Sequence, residues 1–128
     1  MVGEGNMVGW FEIPVMDMDR AKKFYEAVFD IEIQVQDFGG TLMGWFPWAD
    51  GKPGCPGSLV HNPEWYVPNR KEGVLIYFSS ADVQIELDRV AAAGGRILKP
   101  KTLISPEVGY MGLFHDSEDN RIALHSRK

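Results

Sequence analysis

Cysteine is nearly absent. Cys55 is the single one among 128 residues, which excludes an internal disulfide and a thiolate metal cluster. Basic residues are outnumbered, 13 Lys and Arg against 18 Asp and Glu, for a formal net charge of −5. Nucleic-acid binders carry a basic surplus or stripe, so that class of partner is excluded. No apolar run approaches the roughly 20 residues that span a bilayer, and no membrane partner is expected. The opening Met1-Val-Gly-Glu-Gly-Asn-Met-Val8 lacks a basic stretch followed by an apolar one. No secretory leader is therefore read there, and a cytoplasmic location is expected. Also missing are a Gly-x-Gly-x-x-Gly turn, a Walker phosphate cradle and a Gly-x-Ser-x-Gly elbow. What remains is 45% hydrophobic and 24% charged, an ordinary globular composition for one unit over residues 1–128.

The chain shows signs of an internal duplication. Trp10-Phe-Glu-Ile-Pro-Val-Met-Asp17 is a strand-like run ending in an Asp that can cap a helix, and Leu75-Ile-Tyr-Phe-Ser-Ser-Ala-Asp82 repeats it 65 positions later. Met43-Gly-Trp-Phe46 recurs as Met111-Gly-Leu-Phe114 after 68 positions, and Leu59-Val-His61 as Ala123-Leu-His125 after 64. The pattern predicts strand, helix, strand, strand, strand, twice. Strands are expected near 8–15, 31–37, 41–47 and 57–61, then 73–80, 96–100, 109–114 and 120–126. The first module runs from about 8 to 62 and the second from about 73 to 126. Gly39-Gly40 marks a hairpin, Gly94-Gly95 stops the second helix, and Pro47–Gly57 and Asn62–Gly73 read as loops.

Alternation assigns faces. Phe11, Ile13 and Val15 oppose Trp10, Glu12 and Pro14 in the first strand, and Ile76 and Phe78 oppose Leu75, Tyr77 and Ser79 in the fifth. The apolar faces are expected to meet the helices, and the opposite faces to line a concavity. Ile122 and Leu124 go with the helix, Ala123 and His125 with the concavity, and Leu59 and His61 are expected to share that concave face. The four tryptophans, Trp10, Trp45, Trp48 and Trp65, and Tyr66 fall on this face or in the loops beside it, where indoles suit flat or cationic organic ligands. His115, beside Asp116, reads as a turn or capping residue. Cys55 has no neighbour that would clearly activate it as a nucleophile.

The segments Trp10–Tyr25, Leu75–Gly95 and Phe114-His-Asp-Ser-Glu-Asp-Asn-Arg-Ile-Ala-Leu-His125 resemble the glyoxalase/bleomycin-resistance/extradiol-dioxygenase (vicinal oxygen chelate) superfamily. The likeness is greatest to its small single-chain branch related to lactoylglutathione lyase. It implies an α+β fold of two βαβββ modules in tandem, with curled mixed sheets forming a cleft, commonly in a homodimer. It does not imply one chemistry, because the fold hosts enzymes and plain binders alike.

Metal enzymes of this superfamily place His or Glu at matched positions of the first, fourth, fifth and eighth strands. The resemblance maps those positions onto Trp10, Leu59, Leu75 and Ala123, whose side chains offer a divalent ion nothing, so no metal cofactor is expected at the usual site. Two residues further along each strand stand Glu12, His61, Tyr77 and His125. These are the candidate catalytic residues, either as metal-free acid, base and hydrogen-bonding groups or, alternatively, with Glu12, His61 and His125 as a displaced divalent-metal site. Trp10, Trp45, Trp48, Trp65 and Leu75 are the candidate ligand-binding residues. Two functions fit: a lyase- or isomerase-type enzyme acting on a small organic molecule, and a metal-free protein that sequesters a drug or metabolite without changing it.

Overall fold

The computed structural model describes residues 5–128; Met1–Glu4, part of the stretch read above for a leader, lie outside the described residues. The element order is β1 (Phe11–Pro14), α1 (Met18–Phe29), β2 (Gln34–Phe38), β3 (Thr41–Trp45), β4 (Gly57–His61), β5 (Ile76–Ser79), α2 (Val83–Ala93), β6 (Arg96–Ser105), β7 (Gly109–His115) and β8 (Arg121–Ser126). This is strand, helix, three strands, repeated. The strands form two four-stranded sheets of matching order, β1-β4-β3-β2 and β5-β8-β7-β6. In each sheet the first and last strands of the module pair parallel and the other pairs are antiparallel. No helix among the described residues is long and apolar enough to cross a membrane.

Each helix starts where its Asp predicts. Asp17 accepts from the Arg20 N–H at 3.1 Å and Asp82 from the Gln84 N–H at 3.0 Å, which satisfies donors the first turn leaves free. Gly94 ends α2 in the left-handed region at φ 107°, a conformation that costs glycine little. Both helices lie on the apolar faces of the sheets. Ile13, Val15, Leu59, Ile122 and Leu124 meet Met18, Phe24, Val28, Val83, Leu87 and Val90 in one buried core. The Met-Gly repeat has a packing reason. A Cβ on Gly44 would stand 3.1 Å from the Met18 sulfur of α1, and one on Gly112 would stand 2.9 Å from Leu87 of α2. Each glycine lets its helix settle onto the middle of its sheet.

Differences from the expected strands have local causes. Residues 31–33 leave the helix without entering β2, because Ile33 is drawn into the core while its N–H donates to the Glu26 carboxylate at 2.9 Å. Strand β6 runs past Pro100 to Ser105 because it is a sheet edge, where bulges absorb the proline that a central strand would reject. The register also corrects the reading of the fourth strand. Leu59 pairs with Ile13 and Ser58 with Glu12, so Leu59 and His61 take the helix side and Ser58 and Val60 the concave side. In the second sheet Tyr77 pairs with Ala123 and Ser79 with His125. The true repeat in this strand is therefore 65 positions, Ser58 to Ala123, rather than 64. With a side-chain period of two, a slip of one residue reverses the face.

The modules are joined by the turn between β7 and β8. Glu118, its side chain buried, accepts from the Met16 and Asp17 N–H groups at 2.9 Å each and from Arg20 Nε at 2.7 Å. Asp116 accepts from the Tyr25 hydroxyl at 2.6 Å and from the Glu118 and Asn120 N–H groups at 2.8 Å each. Asn120 donates to the Pro14 carbonyl at 2.7 Å, and Asn69 of the linker donates its N–H to the Asn120 side chain at 3.0 Å. His115 continues the same seam. Its Nδ1 accepts from the Arg96 guanidinium and its Nε2–H donates to the Arg70 carbonyl, both at 3.0 Å, so its role is structural.

The two carboxyls respond to burial in opposite ways. Burial pushes Asp116 above its usual value, against the donors Tyr25 and Asn120, and burial together with Asp116 pushes Tyr25 well above the usual phenol. Burial also pushes Glu118 upward, but Arg20, the Asp17 and Met16 amides and Ser117 outweigh it and hold the carboxyl below its ordinary value. A lowered carboxyl stabilises the fold above its unfolded pKa, and that contribution disappears as pH falls through the lower folded one. Glu118→Gln is expected to cost about 2–4 kcal/mol at neutral pH. It should also flatten the loss of stability in acid. Denaturant unfolding across pH 3–7, the experimental range, checks both; parallel curves for the two proteins would refute this assignment.

Candidate functional site

Strands β1 and β5 are the outer strands of their sheets and do not pair with each other. The seam between them is closed by side chains instead. Phe11 of β1 and Phe78 of β5 meet edge to face at 5.8 Å between ring centres, and Phe46 touches both at 5.5 and 5.4 Å. Phe29 of α1 packs against Phe78 at 4.8 Å with its ring tilted by 45°. The Phe11 ring lies over Gly57, where a Cβ would come within 2.2 Å of it. Above these rings opens a cleft of about 930 Å³. Its walls come from β1, β5 and the loop between β3 and β4, including Trp10, Trp48, Cys55, Val74 and Leu75. Glu12, Lys52, Tyr77 and Ser79 are the polar side chains on its lining.

Glu12 is the most constrained of these. It accepts from the Tyr66 hydroxyl at 2.7 Å and from the Trp10 indole N–H at 3.2 Å. The hydrogen bond to Glu12, with smaller help from burial and from the carboxylate charge, raises the Tyr66 phenol above its usual value. Trp10 meets Trp45 of the neighbouring strand edge to face, with centres 5.5 Å apart and planes at 71°. Ser58 stands level with both Glu12 and Trp45 in the sheet, and its hydroxyl is buried without a hydrogen-bond partner among the described residues. No cation among the described residues forms an ion pair with Glu12.

The expected site residues are brought together only in part. Of the four candidate catalytic residues, Glu12 and Tyr77 line the cleft. His61 does not, because register places it on the helix side of β4, opposite Leu42 of β3. His125 shares the Tyr77 face as expected but stands outside the cleft lining, with its Nε2 against the Val108 carbonyl at 2.6 Å. Glu12, His61 and His125 therefore do not converge as a displaced metal site, and no group of three His, Cys, Asp or Glu able to hold a metal occurs among the described residues. Of the ligand-binding candidates, Trp10, Trp48 and Leu75 line the cleft. Trp45 touches Trp10 but does not line the cleft, and neither does Trp65, which is 76% exposed.

Phe11, Phe46 and Phe78 belong to the site without having been singled out, and Tyr66, noted among the loop aromatics, belongs to it as the partner of Glu12. Tyr66 sits beside Trp65 in a polar loop, and nothing in the sequence says which of two adjacent aromatics folds back to Glu12. The phenylalanines read as helix-side core, which they are, yet the unpaired seam also exposes their edges to the cleft. For the usual metal positions, the corrected register replaces Leu59 with Ser58, level with Ala123 in the other module. Trp10, Ser58, Leu75 and Ala123 offer one neutral hydroxyl between them, so this donor set does not fit a divalent ion.

Two tandem βαβββ modules with helices on the outer faces and a cleft at their seam define a glyoxalase-like α+β protein. The chain belongs to the Glyoxalase/Bleomycin resistance protein/Dioxygenase superfamily, whose pattern it matches over residues 7–124. A glyoxylase-like domain-containing protein of Didymella fabae is 30% identical over 129 aligned positions, covering 99% of this chain and 98% of the relative. The glyoxylase/bleomycin resistance protein/dioxygenase domain of Frankia sp. EAN1pec superposes with a TM-score of 0.74 at 15% identity, over 98% of this chain and all of that one. A glyoxalase I variant from Zea mays superposes with a TM-score of 0.72 at 19% identity, over 93% of this chain but only 46% of the maize protein. At these identities the structural likenesses speak for the fold.

The Glu12–Tyr66 bond can be checked directly. Replacing Glu12 by Ala removes the hydrogen-bond acceptor that does most to raise Tyr66, together with the carboxylate charge, so one tyrosine should ionise at lower pH. Spectrophotometric titration of tyrosinate, compared between the two proteins, reads this; superimposable curves would show that the bond does not form.

Proposed function

We propose that this protein binds a small, largely apolar organic ligand in the cleft between β1 and β5, without a metal at the usual position. The observation that carries this reading is the cleft itself: about 930 Å³ with an aromatic floor, aromatic and aliphatic walls and a few polar groups. Sites for small organic ligands have this character, with shape and apolar surface supplying affinity and a few polar atoms supplying orientation. Sequestration is the reading the geometry favours, because the two imidazoles that would have suited catalysis stand outside the cleft. A lyase- or isomerase-type reaction is the second reading. It draws on Glu12 and Tyr77 both lining the cleft, a carboxylate able to take a proton and a phenol able to give one. A homodimer and a cytoplasmic location, expected from the sequence, complete the proposal.

N-phenyl-1-naphthylamine, an uncharged apolar fluorophore, should bind saturably with one molecule per chain. Leu75→Arg places a charge on the apolar wall and should weaken that binding at least ~10-fold with little change in melting temperature. Prior dialysis against a chelator should leave binding unaltered. Absence of saturable binding, or indifference to Leu75→Arg, would overturn the proposal. Mass spectrometry of whatever copurifies, recovered before and after prolonged incubation, separates sequestration from turnover.

A further inference from the structure

We propose that Glu12, the indoles of Trp10 and Trp45 and the phenol of Tyr66 form a corner that receives the cationic end of the ligand, an ammonium or quaternary ammonium group. This rests on the reading of the cleft as a ligand site and names the class of molecule it takes. The first support is an imbalance of charge. Glu12 is half-buried and accepts two hydrogen bonds, both from neutral donors that supply orientation but no countercharge. The cations that form ion pairs elsewhere are engaged: Arg20 with Glu118 and Asp17, Lys22 with Glu26, Lys101 with Asp82. Lys52 also lines the cleft but forms no ion pair with Glu12. A partly desolvated carboxylate with no ion-pair partner attracts a cation that reaches it more strongly than a fully exposed one does.

The second support is the pair of indoles. Trp10 lines the cleft at 37% exposed, and Trp45, 42% exposed, stands edge to face behind it with planes at 71°, so the two indoles meet at an angle beside Glu12. The face of an indole carries negative electrostatic potential, and exposed indole surface next to a carboxylate suits a soft organic cation better than a strongly hydrated one. An anion would meet Glu12 head-on, and a neutral molecule would cover its charge without compensating it. The ligand so described has an apolar, preferably aromatic, body over Phe11, Phe46 and Phe78 and a positive head at Glu12.

The test compares benzyltrimethylammonium with neopentylbenzene, its uncharged carbon isostere, each displacing N-phenyl-1-naphthylamine from the full chain. The cation is expected to bind at least ~10-fold more tightly than the isostere. In Glu12→Gln, and separately in Trp45→Leu, that preference should shrink to within ~3-fold while the affinity of the isostere stays the same. Equal binding of the two by the unaltered protein overturns the inference without recourse to any variant. Displacement by the isostere alone also overturns it and leaves the cleft as an apolar ligand site. Failure of the fluorophore itself to bind overturns the cleft reading together with this one.

Discussion

The carboxylate of Glu118 is buried in the second module but spends its hydrogen bonds on the first, gathering the Met16 and Asp17 amides and the Arg20 guanidinium where β1 turns into α1. With Asp116 bound to Tyr25 and Asn120 bound to the Pro14 carbonyl, one short turn clamps the entry and the first turns of α1. The rest of the structure depends on this clamp because the two sheets share no backbone hydrogen bonds. Without a ladder between β1 and β5, their relative position is set by the clamp, by the packed helices and by the phenylalanines of the seam. Backbone pairing would have sealed the seam. Side chains close its base and leave a cleft above.

That division of labour explains how the superfamily's fold can serve a site with different chemistry. Strand ends still present side chains to a shared concavity, but the positions that hold metal ligands in metal-dependent members carry Trp10, Ser58, Leu75 and Ala123 here. An indole, one hydroxyl and two alkyl groups stand at the positions that the resemblance assigns to metal ligands. The remaining carboxylate, Glu12, sits one layer along and is steadied by neutral donors rather than by a metal or an arginine. A carboxylate left with its charge, next to aromatic faces, supports recognition of an organic molecule more readily than Lewis-acid chemistry.

Much of the fold was legible because the signals were local or repeated. The caps at Asp17 and Asp82, the αL stop at Gly94 and the paired Met-Gly motifs each act through neighbours a few residues away or through a helix packed on its own sheet. The concave faces of β1, β5 and β8 followed from simple alternation. The fourth strand did not. The likeness of Leu59-Val-His61 to Ala123-Leu-His125 suggested a repeat one residue short of the real one, and hydrogen-bond register decided between them. That single step removed His61 from the concave face and put Ser58 there.

The sequence by itself determined the two modules, their helices, the apolar faces of their strands and the lack of chelating side chains at three of the positions compared with metal-dependent relatives. These follow from periodicity, capping and residue chemistry, which act over short stretches of chain. Only the tertiary structure decided which polar groups meet. Tyr66 reaches Glu12 across 54 positions of sequence, Tyr25 reaches Asp116 across 91, and Glu118 reaches the amides of Met16 and Asp17 across more than 100. Such contacts depend on how whole modules dock, and docking is set by the total fit of buried surfaces and hydrogen bonds, to which no local pattern corresponds.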